Sequence, residues 1–227
     1  MSAALFWSGG KDSLLALGGA QRNGLPVTHL VNIHDAESGR VRFHGVRKEL
    51  IAEQAARLGK TLVQRATTPQ AFEQAFTALL QDLRRAGITD IVFGNIQLAD
   101  VRAWYEERTT AHGLSHHEPL WGCAPRDLLQ EFVTRGHRAR ITSVYLQHGG
   151  REAWLGREFT AHFVQELIAS PDIDACGERG EYHSFCFGGP LFASEIEVHA
   201  ASRFLSEGHL ISDLELARER AGAAVRP

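Results

Sequence analysis

Short apolar runs alternate with amphipathic stretches from residue 3 to residue 120, and this alternation constrains the fold more than any other feature of the chain. Residues 3–7 read as a buried strand and residues 12–22 as a helix, with Leu14, Leu15 and Leu17 apolar. Residues 29–33 give a second strand. Residues 46–58 give a helix in which Leu50, Ile51, Ala55 and Leu58 recur at helical spacing. A third strand is expected at 60–65. A long helix follows at 69–85, with Pro69 at its start and Gly87 just beyond its end. Residues 90–93 form a fourth strand, 98–111 a helix stopped near Gly113, and 117–120 a fifth short strand. Repeated return through helices predicts an α/β fold: a Rossmann-like parallel five-stranded sheet with helices on both faces. Such sheets bind ligands at the carboxyl ends of their strands.

The second half has another rhythm. Helices are expected at 125–135 and 157–169, a strand at 139–146, and a glycine- and charge-rich loop at 170–181. Strand-like segments follow at 182–187, 191–199 and 202–205, and the Ala-, Arg- and Glu-rich tail after Leu216 reads as a frayed helix. A chain of 227 residues accommodates one domain plus a small partner. The expected division is residues 1–130 as the ligand-binding domain and residues 131–227 as a smaller C-terminal α+β domain on the substrate side.

Charge and cysteine usage narrow the function classes. The net charge is −3, which speaks against a nucleic-acid surface or a basic membrane-docking face. No apolar run approaches a membrane span, and the N-terminus has no signal-peptide pattern. The three cysteines, Cys123, Cys176 and Cys186, form no CxxC pair and are odd in number. A disulfide framework or structural zinc site is therefore not expected, and a reducing cytoplasm fits the composition.

The first strand runs directly into Ser8-Gly9-Gly10-Lys11-Asp12-Ser13. Two adjacent glycines let the backbone turn tightly and bring its N–H groups against an anion. The next helix begins at about Asp12, so its N-terminal dipole points into the same space. Ser8 and Ser13 add hydroxyls, and Lys11 adds a mobile positive charge. Asp12 would repel phosphates unless it helps to hold Mg²⁺, directly or through water. The loop is neither a Walker P-loop nor a GxGxxG motif. Six such residues directly after a buried strand favour a phosphate cradle over a merely capped glycine turn.

Other candidates are less sharp. Glu178, Glu181 and His183 could bind Mg²⁺, hold an amine or pass a proton, or they could form a solvated acidic loop. Gly177 and Gly180 let that loop turn. On a strand, Glu181 and His183 would share a face and meet the substrate end of the site. His44 and Arg47 either contact phosphate or a substrate carboxylate, or merely open a surface helix. Asn95 follows the fourth strand at the carboxyl edge, where a site role is favoured. Asp100 and Arg102 are either a surface pair or part of the site. Trp121 reads as core and Cys176 as a small buried residue. His116 and His117 point to opposite faces and read as structural.

Residues 8–13 resemble the PP-loop of the ATP pyrophosphatases, which include GMP synthetase, asparagine synthetase, argininosuccinate synthetase and tRNA-modifying enzymes. Phe43-His44-Gly45-Val46-Arg47, Phe93-Gly94-Asn95-Ile96, Asp100-Val101-Arg102 and Glu118-Pro119-Leu120-Trp121 narrow the resemblance. So, above all, does Asp174-Ala175-Cys176-Gly177-Glu178-Arg179-Gly180-Glu181-Tyr182-His183-Ser184-Phe185. Together they resemble the diphthine–ammonia ligase family over residues 3 to 193.

That resemblance implies an adenine-nucleotide α-hydrolase (HUP) fold and a small C-terminal domain closing over the site. It also implies an enzyme using ATP and Mg²⁺, in which a carboxylate becomes an acyl-adenylate, pyrophosphate leaves, and ammonia or another amine displaces AMP. The implied chemistry falls to Lys11, Asp12, Glu178, Glu181 and His183. Ser8, Gly9, Gly10, Lys11, Asp12, Ser13, His44 and Asn95 would hold the nucleotide, with Asp12 on the metal. The implied partners are a small-molecule or protein carboxylate and an amine donor; a homodimer is left open. Asn95 stands where relatives often carry Asp, which removes a charge. The chain is also without the extra C-terminal domains of the larger eukaryotic enzymes. The archetypal substrate is diphthine on elongation factor two, a modification of eukaryotes and archaea. The Ala- and Arg-rich composition reads as bacterial, in which case only the reaction class carries over. Two alternatives stand beside this reading. A tRNA-thiolation-type enzyme would want paired cysteines and a basic surface. A nucleotide sensor would not need Lys11, Asp12 and a second acidic loop.

Overall fold

The computed structural model describes residues 2–217; the expected frayed helix at the C-terminus lies outside the described residues from 218 onward. The first half alternates strand and helix: β1 (Ala3–Phe6), α1 (Lys11–Arg22), β2 (Val27–Asp35), α2 (Lys48–Arg57), β3 (Thr61–Thr67), α3 (Phe72–Arg85), β4 (Asp90–Val92), α4 (Ala99–Ala111) and β5 (Ser115–His117). All five strands are parallel, in the order β3-β2-β1-β4-β5. Leu5 of β1 lies opposite Leu30 of β2 on one side and Val92 of β4 on the other. The sheet order reverses between β1 and β4. The crevice at a parallel sheet's carboxyl edge opens at such a reversal.

Most boundaries follow the sequence pattern, and the departures have local causes. The fifth strand stops at His117 rather than running to residue 120. Pro119 has no N–H to give the ladder, and Trp121 N–H turns back to the Glu118 carbonyl. The helix expected from residue 46 starts at Lys48, because Val46 is spent closing a turn with the Val41 N–H. Residues 69–71 form a 3₁₀ turn ahead of α3, capped by the Thr68 hydroxyl, which accepts the Ala71 N–H.

The second half contains α5 (Pro125–Thr134), β6 (Arg138–Tyr145), α6 (Ala161–Ile168), β7 (Tyr182–Gly188), β8 (Val198–Ser206) and β9 (His209–Leu216). Its sheet is antiparallel in the order β7-β6-β9-β8. Here the sequence reading needs correction. Residues 191–197 are irregular, 198–206 form one continuous strand, and β9 was not expected at all. Glu207 and Gly208 join β8 to β9 with φ of 48° and 81°, the backbone sense of a two-residue hairpin turn.

One apolar core joins both halves: Leu5, Leu14 and Leu17 of the first pack in the same cluster as Phe132, Trp154, Phe163 and Phe185 of the second. A second cluster on the other face of the parallel sheet is built on Phe76, Leu79, Leu80 and Leu83 of α3. The shared core brings β7 against the loop that follows β1. There the Cys186 N–H donates to the Gly9 carbonyl at 2.9 Å.

Candidate active site

The loop after β1 is held from three sides. Gly9 sits at φ 86°, and a Cβ there would lie 2.7 Å from Ile51 Cδ1 and 2.8 Å from Gln54 Oε1. A Cβ at Gly10 would come within 2.9 Å of the His44 ring. Glycine is required by backbone sense at the first position and by space at both. Within the loop, Ser13 Oγ accepts the Ser8 N–H at 3.2 Å and lies 3.0 Å from Ser8 Oγ. Gly10 is the extended N-cap of α1 and makes no side-chain cap bond. The first turn of α1 therefore presents N–H groups and a dipole to the cleft.

Gln54, on the buried face of α2, braces the loop. Its Nε2 donates to the carbonyls of Gly9 (2.9 Å) and Cys186 (2.6 Å), and its Oε1 accepts Trp7 Nε1–H at 2.7 Å. The sequence reading missed it. The available signal was a glutamine on the apolar stripe made by Leu50, Ile51, Ala55 and Leu58.

Lys11 is not the mobile cation expected. Its side chain is 2% exposed, and its ammonium donates to Asp12 Oδ2 at 2.9 Å and to the carbonyl of Cys176. It also lies 5.1 Å from the Tyr182 ring centroid. Burial pulls the ammonium pKa down, but the Asp12 charge, the neighbouring Tyr182 and Cys176 groups and the Asp12 hydrogen bond together outweigh it and hold the group well above its ordinary value. The Lys11 backbone N–H donates to Ser184 Oγ of β7 at 3.1 Å. Residue 11 thus ties the phosphate loop to the acidic loop and to the second sheet.

Asp12 shares the cleft with Glu178. Burial raises the pKa of both carboxyls; Lys11 opposes this for Asp12, and the Ile96 N–H opposes it for Glu178. Asp12 Oδ1 is buried and has no hydrogen-bond partner among the described residues. Glu178 accepts the Ile96 N–H at 2.9 Å. Glu181 is not brought to the cleft. It precedes β7, and its carboxylate accepts the N–H groups of Asp174 (2.6 Å) and Arg179 (3.1 Å). It staples its own loop, so it does not share a strand face with His183. Asp174, which the sequence reading did not single out, does similar work: it accepts from Cys176 N, Glu178 N and Gln97 Nε2.

His44 and His183 line the cleft with ring centroids 4.4 Å apart, and His209 of β9 lies 5.7 Å from His183. Burial lowers the pKa of all three rings, His44 to about 4. All three are neutral at pH 7. His44 Nδ1 lies 3.2 Å from the Ser184 carbonyl, to which it can only donate. Arg47 is turned away from the cleft: its guanidinium binds Asp213 at 2.6 Å and Glu215 at 2.8 Å.

Asn95 lines the cleft at the end of β4, with Nδ2 2.7 Å from Glu118 Oε1. Arg102 lies 3.6 Å from Glu118 Oε2 rather than beside Asp100, which is exposed. Trp121 is half-buried beneath the Arg102 guanidinium, not core. Cys176 is buried, burial holds its thiol protonated, and its carbonyl is what meets Lys11. His117 bonds Asp90 at 2.7 Å, whereas His116 lies beside Glu118.

These groups enclose a cleft of about 290 Å³ at the β1/β4 reversal. A more apolar compartment of about 370 Å³ adjoins it, sharing Ser8, Ile33, His44, Phe72 and His183 and reaching Thr67 at the end of β3. One end therefore offers backbone donors and hydroxyls, another offers carboxylates, and the side compartment offers flat apolar walls. Among the described residues no group of three or more His, Cys, Asp or Glu side chains could hold a metal unaided. Among them, too, no helix is long and apolar enough to cross a membrane.

Comparison with known proteins covers nearly the whole chain. Residues 1–116 match the family model described as the diphthamide synthase N-terminal domain, and residues 124–219 the diphthamide synthase C-terminal domain. Curated relatives include the diphthine–ammonia ligases of Bos taurus (30% identical) and Homo sapiens (29% identical) over 100 residues. The match spans 40% of this chain and 38% of each relative. Among solved structures, a predicted subunit of tRNA methyltransferase from Methanocaldococcus jannaschii aligns with a TM-score of 0.41 and 17% identity. That alignment covers 75% of this chain and 90% of the other.

Proposed function

Because this chain belongs to the diphthine–ammonia ligase family, we propose that it is an ATP-dependent ligase that cleaves ATP between its α- and β-phosphates to make an amide. A carboxylate oxygen attacks the α-phosphorus and pyrophosphate leaves. The nitrogen of ammonia or an amine then attacks the acyl carbon, AMP leaves with the bonding pair, and the nitrogen loses a proton. The observation that carries this reading is the glycine loop after β1, Asp12 included, lining one cleft together with the carboxylate of Glu178.

In this proposal residues 8–13 receive the phosphates through backbone N–H groups, the Ser8 and Ser13 hydroxyls and the α1 dipole. The apolar side compartment suits a flat base. Asp12 Oδ1 is a buried carboxylate oxygen with no hydrogen-bond partner among the described residues, which fits a cation. Magnesium is commonly held by one or two carboxylates together with substrate phosphates, so a set of three protein ligands is not needed. Bound there, Mg²⁺ would neutralise phosphate charge as pyrophosphate departs. Glu178, with its raised pKa, is suited to take the proton released by the amine. His183 and His44 line the wall as neutral rings, and Asn95 offers a polar group at the carboxylate end. Lys11 and Glu181 are assigned to positioning. Residues 1–130 supply the nucleotide loop, residues 131–227 the acidic wall. The three free cysteines suit a cytoplasmic location.

The acid and amine are not fixed by this reading. The test is to incubate the protein with ATP, Mg²⁺, ammonium chloride and fractionated metabolite or protein pools, and to follow AMP, ADP and pyrophosphate. AMP and pyrophosphate should appear together, dependent on one fraction. Production of ADP and phosphate instead would sink the proposal.

A further inference from the structure

Behind the carboxylate end of the cleft lies a polar cluster that no step above uses. The side chain of Glu118, in the turn after β5, is 1% exposed, and its Oε2 has no hydrogen-bond partner among the described residues. The Arg102 Nε stands 3.6 Å from that oxygen, too far for a good bond. The His116 side chain is 4% exposed. Its Nε2 approaches Glu118 Oε1 to 3.1 Å, yet off the axis of a hydrogen bond, so neither ring nitrogen makes a hydrogen bond among the described residues. The only hydrogen bond the Glu118 carboxylate makes within the described residues is to Asn95 Nδ2, at 2.7 Å. A nearly dry carboxylate with one hydrogen bond, its Arg102 ion pair long at 3.6 Å, is costly unless that bond does something.

A carboxylate accepts and cannot donate, so the group of Asn95 that faces Glu118 must be its NH₂. The amide is planar, so its carbonyl oxygen sits on the arm turned away from Glu118, and Asn95 lines the cleft. Among the described residues nothing bonds that oxygen. We propose that Glu118 is a positioning residue that locks the Asn95 amide with Oδ1 toward the cleft, making that end of the site selective for a ligand bearing N–H donors, such as ammonium or a primary amine. The donor class rests on the ligase reading; the locking does not. The arrangement also gives a reason for a neutral residue at position 95: an aspartate would set two carboxylates against each other, out of water.

The chain has three asparagines, Asn23, Asn32 and Asn95, so asparagine-selective ¹⁵N labelling gives three side-chain amide signals. Asn95→Asp identifies the signal of interest by removing it. Ammonium chloride titrated into the full chain should move the Asn95 signal saturably, and tetramethylammonium chloride, which has no N–H, should not. Glu118→Gln allows either amide orientation, so the Asn95 signal should shift in the free protein and the ammonium response should weaken at least tenfold. A second arm uses thermal unfolding. Asn95→Asp should lower the midpoint more than Glu118→Gln. The double variant should recover most of the loss, because the amide introduced by Glu118→Gln can donate to the carboxylate introduced by Asn95→Asp. An Asn95 signal indifferent to Glu118→Gln, an equal response to both salts, or purely additive midpoint losses would each overturn the proposal. If no fraction yields AMP and pyrophosphate, the ligase reading fails on its own, while both arms here still give their answer.

Discussion

The cleft has two walls made in different ways. The loop after β1 is a local device: six consecutive residues, two glycines and one helix start. The acidic wall, residues 174–184, is held by contacts far apart in the chain, from Lys11 to Cys176 and from Glu178 to Ile96. The first wall gets its shape from backbone freedom and close packing, the second from charges and hydrogen bonds satisfied out of water. Two walls so unlike should fail differently when disturbed: the local one through its shape, the assembled one through its charge.

The largest effect is expected where the walls meet. Lys11→Met removes the ammonium and leaves Asp12 and the Cys176 carbonyl facing each other unpaired. Breaking a buried pair from one side typically costs about 3–5 kcal/mol. Urea unfolding should show that loss, and Lys11→Arg should recover only part of it, because a larger head group must enter a filled space. A loss below about 1 kcal/mol, well under that range, would mean that residue 11 does not join the walls.

Gly9→Ala addresses the local wall. It combines a positive φ with Cβ contacts of 2.7 and 2.8 Å. A cost of about 2–3 kcal/mol is expected from the strained backbone and overpacking together. ATP affinity measured by calorimetry should fall further than that stability loss explains, because the N–H groups are re-aimed. Unchanged nucleotide binding would remove the loop from the phosphate site.

Glu181→Gln addresses the acidic wall alone. One of its two loop N–H groups can still be accepted, so the stability loss should be about 1–2 kcal/mol. Turnover should fall while the affinity for ATP stays near that of the parent. Equal losses in both would join the walls more tightly than the contacts suggest.

A last test is a pH dependence. The folded pKa values of His44, His183 and His209 lie below the unfolded value of 6.5, so the unfolded chain binds more protons as pH falls. Stability is then lost on going down from about pH 6.5 toward 4, by about 1 kcal/mol per fully depressed ring over the first unit. Asp213 behaves oppositely in kind. Its own burial works against ionisation, but Arg47 and Arg40 hold its carboxyl at about 2. It therefore keeps its stabilising charge throughout that window and loses it only as pH falls toward about 2. A melting temperature flat from about pH 7 to 5 would contradict the three-ring reading.

Legibility in the sequence tracks the same contrast. The parallel sheet was readable because each strand and helix carries its own period, and the phosphate loop because its six residues are contiguous. The acidic loop could be pointed to by composition and resemblance, but not the work of its members. Nothing local says that Glu181 turns inward to bond its own loop while Glu178 faces the cleft. Gln54 and Ser184 act on residues more than forty positions away. Strand β9 was invisible for a related reason. Ser212 and Asp213 break its apolar alternation, yet both are buried, and Asp213 is tolerated there by Arg40 and Arg47 from the other half.

The bond from the Cys186 N–H to the Gly9 carbonyl has a consequence in time. The ribosome makes residue 9 early and residue 186 far later. During synthesis the parallel sheet can form while its ligand loop still lacks the strand that braces it. The nascent chain is therefore expected to acquire a sheet first and a finished binding site only when β7 has emerged and docked.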